Sequence, residues 1–309
     1  MILSVSKKTD IPALYSDWFL NRLKEGYLLV ADERNPFNLS KINLSKEVVD
    51  LIIFWTKNPL PLIDKLSVIE KMGYNYSFQF TITPYTKKIE PNIPSKNKII
   101  ESFIALSKKI GKQKVIWRYD PIILTSEFNL TYHKSMFDHL CEKLSPYTTT
   151  CVITFFDRNI FKNKTKTPLE KETIELVAKE LSVIAKKYGI FLVTSQKKYD
   201  LSKFNIPYIT FTNKKYLEKI LNTELITKFD KVTKQEKEDI SYIDVGSFNT
   251  CINSCSYCYA NYSPSMIRFN NSRHNKTSPL LIGSPSNNNK ITIKKAKSFK
   301  KKQLSIFDI

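Results

Sequence analysis

Short apolar runs rich in β-branched and aromatic residues recur along the first two thirds of the chain. Each gives way to a few polar residues and then to apolar positions at helical spacing. The pattern predicts strands over 2–6, 51–55, 76–83, 114–118, 150–155 and 190–194. Helices are predicted over 13–25, from the Asn58-Pro59 step to about Met72, and over 97–110, 132–144 and 169–187. Gly26 and Gly73 stop the first two helices. Strand-then-helix units imply a parallel sheet, because parallel strands need helical crossovers. Strands apolar on both faces fit a β/α barrel or a doubly wound sheet. The expected class is therefore α/β.

Polar residues are placed with some regularity. Thr9, Asp10, Lys57, Glu90, Arg118, Asp120 and Asp157 are all expected just beyond strand C-termini. In barrels of β/α units that rim is where sites are built. Each charge also has a structural reading: Asp10 as a helix cap, Glu90 as a loop fastener, Arg118 with Asp120 as an ion pair. With only six glycines, the chain offers no glycine-rich phosphate cradle.

The 309 residues are 42% hydrophobic and 25% charged, the balance of a globular protein. No apolar stretch is long enough for a membrane helix. The opening Met-Ile-Leu-Ser-Val-Ser-Lys-Lys holds too short an apolar run for a signal peptide, so the cytoplasm is the expected location. The net charge is +20, which favours polyanionic partners and nucleic acid first. Seven lysines fall between Lys290 and Lys302. The competing explanation is compositional, in a chain rich in Lys, Asn and Ile. Residues 199–240 read as an irregular connector with a helix over 214–221. Residues 284–309 read as a flexible Lys-rich tail.

The strongest chemical signal is Cys251-x3-Cys255-x2-Cys258. Three thiols so close in sequence converge on one inorganic centre without long-range folding. A [4Fe–4S] cluster takes four ligands, so three cysteines leave one iron open to a small molecule. Zinc is the alternative and would need a fourth ligand, for which His274 is the nearby histidine. Cys141 and Cys151 fit plain core packing.

The string Cys-x3-Cys-x-Tyr-Cys-Tyr over 251–259 resembles the cluster motif of radical S-adenosylmethionine enzymes, in particular their spore photoproduct lyase-like branch. Thr9-Asp10, Thr56-Lys57, Glu90-Pro91-x-x-Pro94 and Arg118-x-Asp120-Pro121 are similar to further segments of that branch. There the cysteine loop comes first; here it comes last. The resemblance therefore implies a circularly permuted, partial or complete parallel β/α barrel. Residues 1–198 would supply its units, and 241–283 the last strand and the cluster loop. That strand, 242–245, is expected beside 2–6. The resemblance further implies that Cys251, Cys255 and Cys258 hold the cluster. Tyr257, Tyr259, Thr9, Asp10 and Lys57 would contact S-adenosylmethionine, while Arg118, Asp120 and Glu90 would face substrate. A flavodoxin- or ferredoxin-type electron donor follows from the same chemistry.

Along nearly its whole length the chain also resembles a bacterial family known only as domain of unknown function 1848. Val5–Pro12, Phe54–Pro59 and Trp117–Ile122 carry that likeness. Members often have additional cysteines ahead of the main motif, but residues 199–250 contain none. Finally, Gln303-Leu304-Ser305-Ile306-Phe307 resembles the short motif by which bacterial DNA enzymes dock on the replication sliding clamp. The expected function is a radical S-adenosylmethionine enzyme acting on nucleic acid, in repair or modification. A small metabolite or peptide substrate, or a non-catalytic nucleic-acid-binding protein with a structural metal, are the alternatives.

Overall fold

A computed structural model describes residues 1–156, 170–227, 229–230, 235–236 and 238–301. The chain opens with β1 (Ile2–Val5), the single-turn helix α1 (Ile11–Leu14) and α2 (Ser16–Glu25). Asp10 caps α1 through its side chain, and Tyr15 leaves helical geometry between the two. What the sequence predicts as one helix is thus a turn plus a helix. Next come β2 (Tyr27–Ala31), β3 (Asn38–Asn43), β4 (Leu51–Thr56), α3 (Leu60–Ile63), α4 (Leu66–Lys71) and β5 (Tyr76–Thr81). They are followed by α5 (Lys96–Ile110), β6 (Val115–Ile122), α6 (Leu130–Leu144), β7 (Thr150–Phe155), α7 (Lys171–Lys187) and β8 (Phe191–Thr194). The remaining elements are α8 (Lys214–Leu221), β9 (Phe229–Asp230), β10 (Gln235–Glu236), β11 (Tyr242–Asp244), α9 (Pro264–Ser272) and β12 (Lys290–Ile293).

Seven strands form one parallel sheet in the order β11-β1-β4-β5-β6-β7-β8. The chain's late strand β11 lies against its first, with Ile2 opposite Tyr242, as the sequence implies. Past β8 an irregular segment continues the edge: Thr194 N–H donates to Pro207 O at 3.0 Å, and Ile209 N–H to Thr194 O at 2.9 Å.

Strand alternation divides the side chains between two faces. Leu3, Val5, Phe54, Phe78, Phe80, Trp117, Ile153 and Leu192 enter the large core shared with Trp18, Phe103, Phe137 and Leu181 of the helices. The opposite face begins with Ile2, Leu51 and Ile53, covered by Leu217 of α8, and with Ile116, Val152 and Val193 beside Tyr216. The expected connector 199–240 therefore supplies an amphipathic helix that covers the second face. One pleat further along, that face becomes polar, with Ser4, Trp55, Gln79, Arg118, Asp120 and Thr154.

Three expectations are corrected. β6 runs on to Ile122 beyond its predicted end at Arg118, so Asp120 is a strand residue and not a loop residue; the alternation Ile116, Arg118, Asp120 simply continues. β2 and β3, absent from the predicted elements, pair antiparallel in a separate three-stranded sheet. That sheet is completed by β12, which runs parallel to β3. Residues 284–301 are thus folded where a flexible tail was expected. The reason is a buried anchor: Asp50, 2% exposed, receives the Met1 ammonium, the Ser298 hydroxyl at 2.5 Å and the Phe299 N–H at 2.8 Å. Asp157 and the segment Gln303–Phe307 lie outside the described residues. Among the described residues no helix is long and apolar enough to cross a membrane.

Replacing Asp50 with Ala leaves the ammonium and two donors without an acceptor in a buried site. It should cost about 3 kcal/mol in denaturant unfolding and expose residues 290–301 to limited proteolysis. An unchanged cleavage pattern would remove Asp50 as the anchor.

Candidate functional site

The strand C-termini open onto a cavity of about 650 Å³. Its walls include Thr9, Asp10, Lys57, Arg118 and Asp120, together with Cys251, Cys255, Tyr257, Cys258 and Tyr259. Ten of the eleven site residues taken from the sequence therefore line one space. Glu90 is the exception.

The cysteine loop is fastened at its base by Asp244 at the end of β11. This carboxylate accepts from Ser4 Oγ at 2.7 Å, Ser6 Oγ at 2.6 Å and the backbone N–H groups of Lys7 and Gly246 at 2.9 and 3.0 Å. A Cβ on Gly246 would stand 1.9 Å from Ser6 Oγ, so only glycine allows this approach. Asn249, in the left-handed region at φ 54°, accepts from the N–H groups of Tyr262 and Ser263 and closes the loop on itself. Thr9 Oγ1 donates to Ser247 O at 2.8 Å, and Tyr15 donates to Thr250 O at 2.6 Å.

Asp10 joins three elements. Its carboxylate accepts from Thr56 Oγ1 at 2.7 Å, Lys57 N–H at 2.8 Å and Asn253 Nδ2 at 3.2 Å, besides its cap bond to Ala13 N–H. Burial pushes its carboxyl up to about 6 against the pull of these donors. Asp10 is thus both cap and cavity wall.

Glu90, 2% exposed, holds the loop from the other side. Its carboxylate accepts from Lys57 Nζ at 2.8 Å, Thr83 Oγ1 at 2.6 Å, Lys96 Nζ and the Tyr257 hydroxyl. Burial alone would raise Glu90, but the Lys57 and Lys96 charges outweigh it and hold the carboxyl at about 2. Burial alone would lower the Lys57 ammonium; Glu90, and then Cys255, outweigh it and keep it charged. Glu90 accordingly fixes the loop rather than facing the cavity, its structural reading from sequence.

Arg118 donates to Asp120 Oδ2 through Nε at 3.0 Å and Nη2 at 2.6 Å, and to Gln79 and Ser195 at 3.2 Å each. Asp120 also accepts from the Thr154 hydroxyl. Burial would raise Asp120, but Arg118 more than compensates and leaves it lowered. The pair sits on the cavity wall.

All three loop thiols are unbridged. Burial is the first cause raising each of them: Cys251 far up, with the Asp10 charge adding to it, Cys255 to about 11 and Cys258 upward. The thiolate is the form that ligates metal. Backbone N–H groups of Asp10 and Asn253 face the Cys251 sulfur, and those of Ala260 and Asn261 face that of Cys258. Such donors favour thiolate and tune the potential of iron–sulfur centres. Among the described residues no three His, Cys, Asp or Glu side chains meet closely enough to hold a single metal ion. His274, the histidine considered for zinc, bonds instead to Leu281 O and packs on Tyr15. Cys141 and Cys151 are fully buried in the helix-side core.

Sequence reasoning missed Lys7, Trp55, Ser195 and Phe211, which also line the cavity. Period-2 alternation along β4 gives Trp55; Phe211 lies in an irregular segment with no such signal.

Fold and site together define an α/β protein with a cysteine-lined cavity at the C-terminal ends of a parallel sheet. The chain belongs to the family described as Domain of unknown function (DUF1848), whose family model matches residues 2–260. No curated protein matches it. Among solved structures it is similar to a candidate α-L-fucosidase from Bacteroides thetaiotaomicron at 13% identity. That match covers 47% of this chain and 62% of the other, with a TM-score of 0.25, and carries no argument about fold or activity.

Glu90→Gln leaves two lysines facing a neutral amide and should destabilise the fold by about 3 kcal/mol at pH 7. The contribution of Glu90 is complete above its ordinary value of 4.5 and is lost as pH falls toward 2. Urea unfolding from pH 7 to pH 3 should therefore show the gap between wild type and variant narrowing with acid. A gap that stays constant would remove the ion pairs as its cause.

Proposed function

We propose that the cavity is the active site of a radical S-adenosylmethionine enzyme. Its cysteine loop would hold a [4Fe–4S] cluster through Cys251, Cys255 and Cys258. The observation that carries this reading is the joint placement of three unbridged thiols on one cavity wall, beside Thr9, Asp10 and Lys57. Three protein ligands fit a cluster with one iron left for a small molecule, and the N–H groups around Cys251 and Cys258 fit sulfurs that carry negative charge. When bound, the cluster and S-adenosylmethionine would supply one-electron radical chemistry, the removal of a hydrogen atom from substrate.

The chain's own residues orient and exclude. Glu90 and Lys57 pin Tyr257, and so the loop between Cys255 and Cys258. Lys57 Nζ also lies 5.4 Å from the Tyr257 ring centre, a cation–π contact. Tyr259 donates to Lys7 O at 3.0 Å and walls the cavity toward solvent. Asp10 and Lys57 offer a carboxylate and an ammonium to the polar groups of the cofactor. The Arg118–Asp120 pair offers a fixed charge pattern to substrate. The permuted barrel belongs to the same proposal, with β11 delivering the cysteine loop beside β1. The electron would come from a flavodoxin- or ferredoxin-type donor. A nucleic-acid substrate is supported by the net charge and by the exposed lysines around β12.

Anaerobic reconstitution tests the reading. The expected result is a brown protein with about four irons per chain that forms 5′-deoxyadenosine from S-adenosylmethionine under reduction. Cys255→Ala should abolish both. A colourless protein holding one zinc would overturn the proposal in favour of a structural metal.

A further inference from the structure

The cavity lining also gathers hydrogen-bond donors that have no acceptor among the described residues. Lys7 follows β1 and extends over three rings, its Nζ 5.2 Å from the centre of Phe211, 5.6 Å from Trp55 and 5.9 Å from Tyr242. Among the described residues no carboxylate lies within ion-pair distance of it, although it feels Asp244 and Asp120 at longer range. The other charged groups of this wall are committed. Lys57 is paired with Glu90, Arg118 with Asp120 and Lys8 with Glu33.

A second observation is independent of charge. The indole N–H of Trp55 is buried without a hydrogen-bond partner among the described residues. A buried orphan donor costs about 1–3 kcal/mol and calls for an explanation. Ser195, which accepts from Arg118, donates its own O–H to no described residue. Arg118 adds a guanidinium 5.1 Å from the centre of the same Trp55 ring.

We infer that the cavity takes a phosphate-bearing substrate whose anionic oxygens are received by Lys7, the Ser195 hydroxyl and the Trp55 indole N–H, with Arg118, held by Asp120, fixing Ser195. This deepens the active-site reading above and rests on it. An ammonium together with neutral N–H and O–H donors suits a group with several equivalent oxygens. Phe211 and Tyr242, stacked edge-on at 4.8 Å, form an apolar shoulder beside the anion for whatever the phosphate is attached to. The phosphate belongs to a free nucleotide or to a nucleic-acid strand, and the same donors would receive either.

Calorimetric titration of the full chain with uridine 5′-monophosphate, uridine and an oligouridylate separates these cases. The phosphorylated probes should bind at least tenfold more tightly than uridine. Lys7→Gln should remove about tenfold of that preference, Lys7→Arg should retain it, and Trp55→Phe, which keeps a ring but loses the donor, should weaken it severalfold. Stronger binding of the mononucleotide assigns a free nucleotide and stronger binding of the oligomer a strand; both uphold the site. Equal binding of uridine and its phosphate, or a Lys7→Gln variant that binds like wild type, overturns it. Iron content measured on the same samples keeps the two readings apart. Iron-loaded protein without phosphate preference overturns the phosphate site alone, whereas iron-free protein that retains the Lys7-dependent preference upholds it.

Discussion

A single buried carboxylate holds the site together. Glu90 lies in the loop after β5, yet it receives Lys57 from the end of β4, Lys96 from the start of α5 and Tyr257 from the cysteine loop. With two ammonium groups and two hydroxyls around it, the carboxylate stays ionised despite its burial. An ionised group in that position makes its neighbours directional: each must present a donor at a fixed place. The tyrosine between Cys255 and Cys258 is thereby held at one depth in the cavity. The Asp10 carboxylate does the same for the other end, through Asn253.

The second face of the sheet explains why a cavity exists at all. On that face β1, β6 and β7 begin apolar and end polar, and α8 covers the apolar part. Leu217 packs on Ile2, Leu51 and Ile53, while Tyr216 sits by Ile116, Val152 and Val193. Beyond the helix the strands carry Trp55, Gln79, Arg118 and Thr154, and Phe211 packs edge-on against Trp55. The void is bounded by these strand ends, by the segment 208–212 and by the cysteine loop.

Much of this was legible in the sequence. β7 and α8 fall at their predicted limits, because an apolar β-branched run and a capped amphipathic repeat leave little choice of register. The pairing of β11 with β1 is the one the resemblance led one to expect. Other features lacked a local signal. Leu39 and Ile42 make β3 too sparsely apolar to stand out until β12 and β2 flank it. The lysines of 290–301 read as a solvated tail because their ordering depends on Asp50, some 250 positions away, and on main-chain hydrogen bonds that composition does not encode. Asp120 looked like a loop residue because Pro121 signals a strand end, yet β6 continues through it. Lys7, Trp55 and Ser195 each look ordinary alone. Only the assembled sheet brings them to one cavity.

The neighbour relation between β1 and β11 also governs when the site can come into being. Ile2 pairs with Tyr242 across most of the polypeptide, so β1 keeps one edge bare while the ribosome makes everything between them. Contacts of such sequence separation form late and slowly. The cysteine loop follows β11 directly and gains its Thr9, Asp10 and Glu90 contacts only once that strand has docked. Any group bound by the docked loop would therefore reach a chain that has already folded its other strands, a requirement on biogenesis rather than on catalysis.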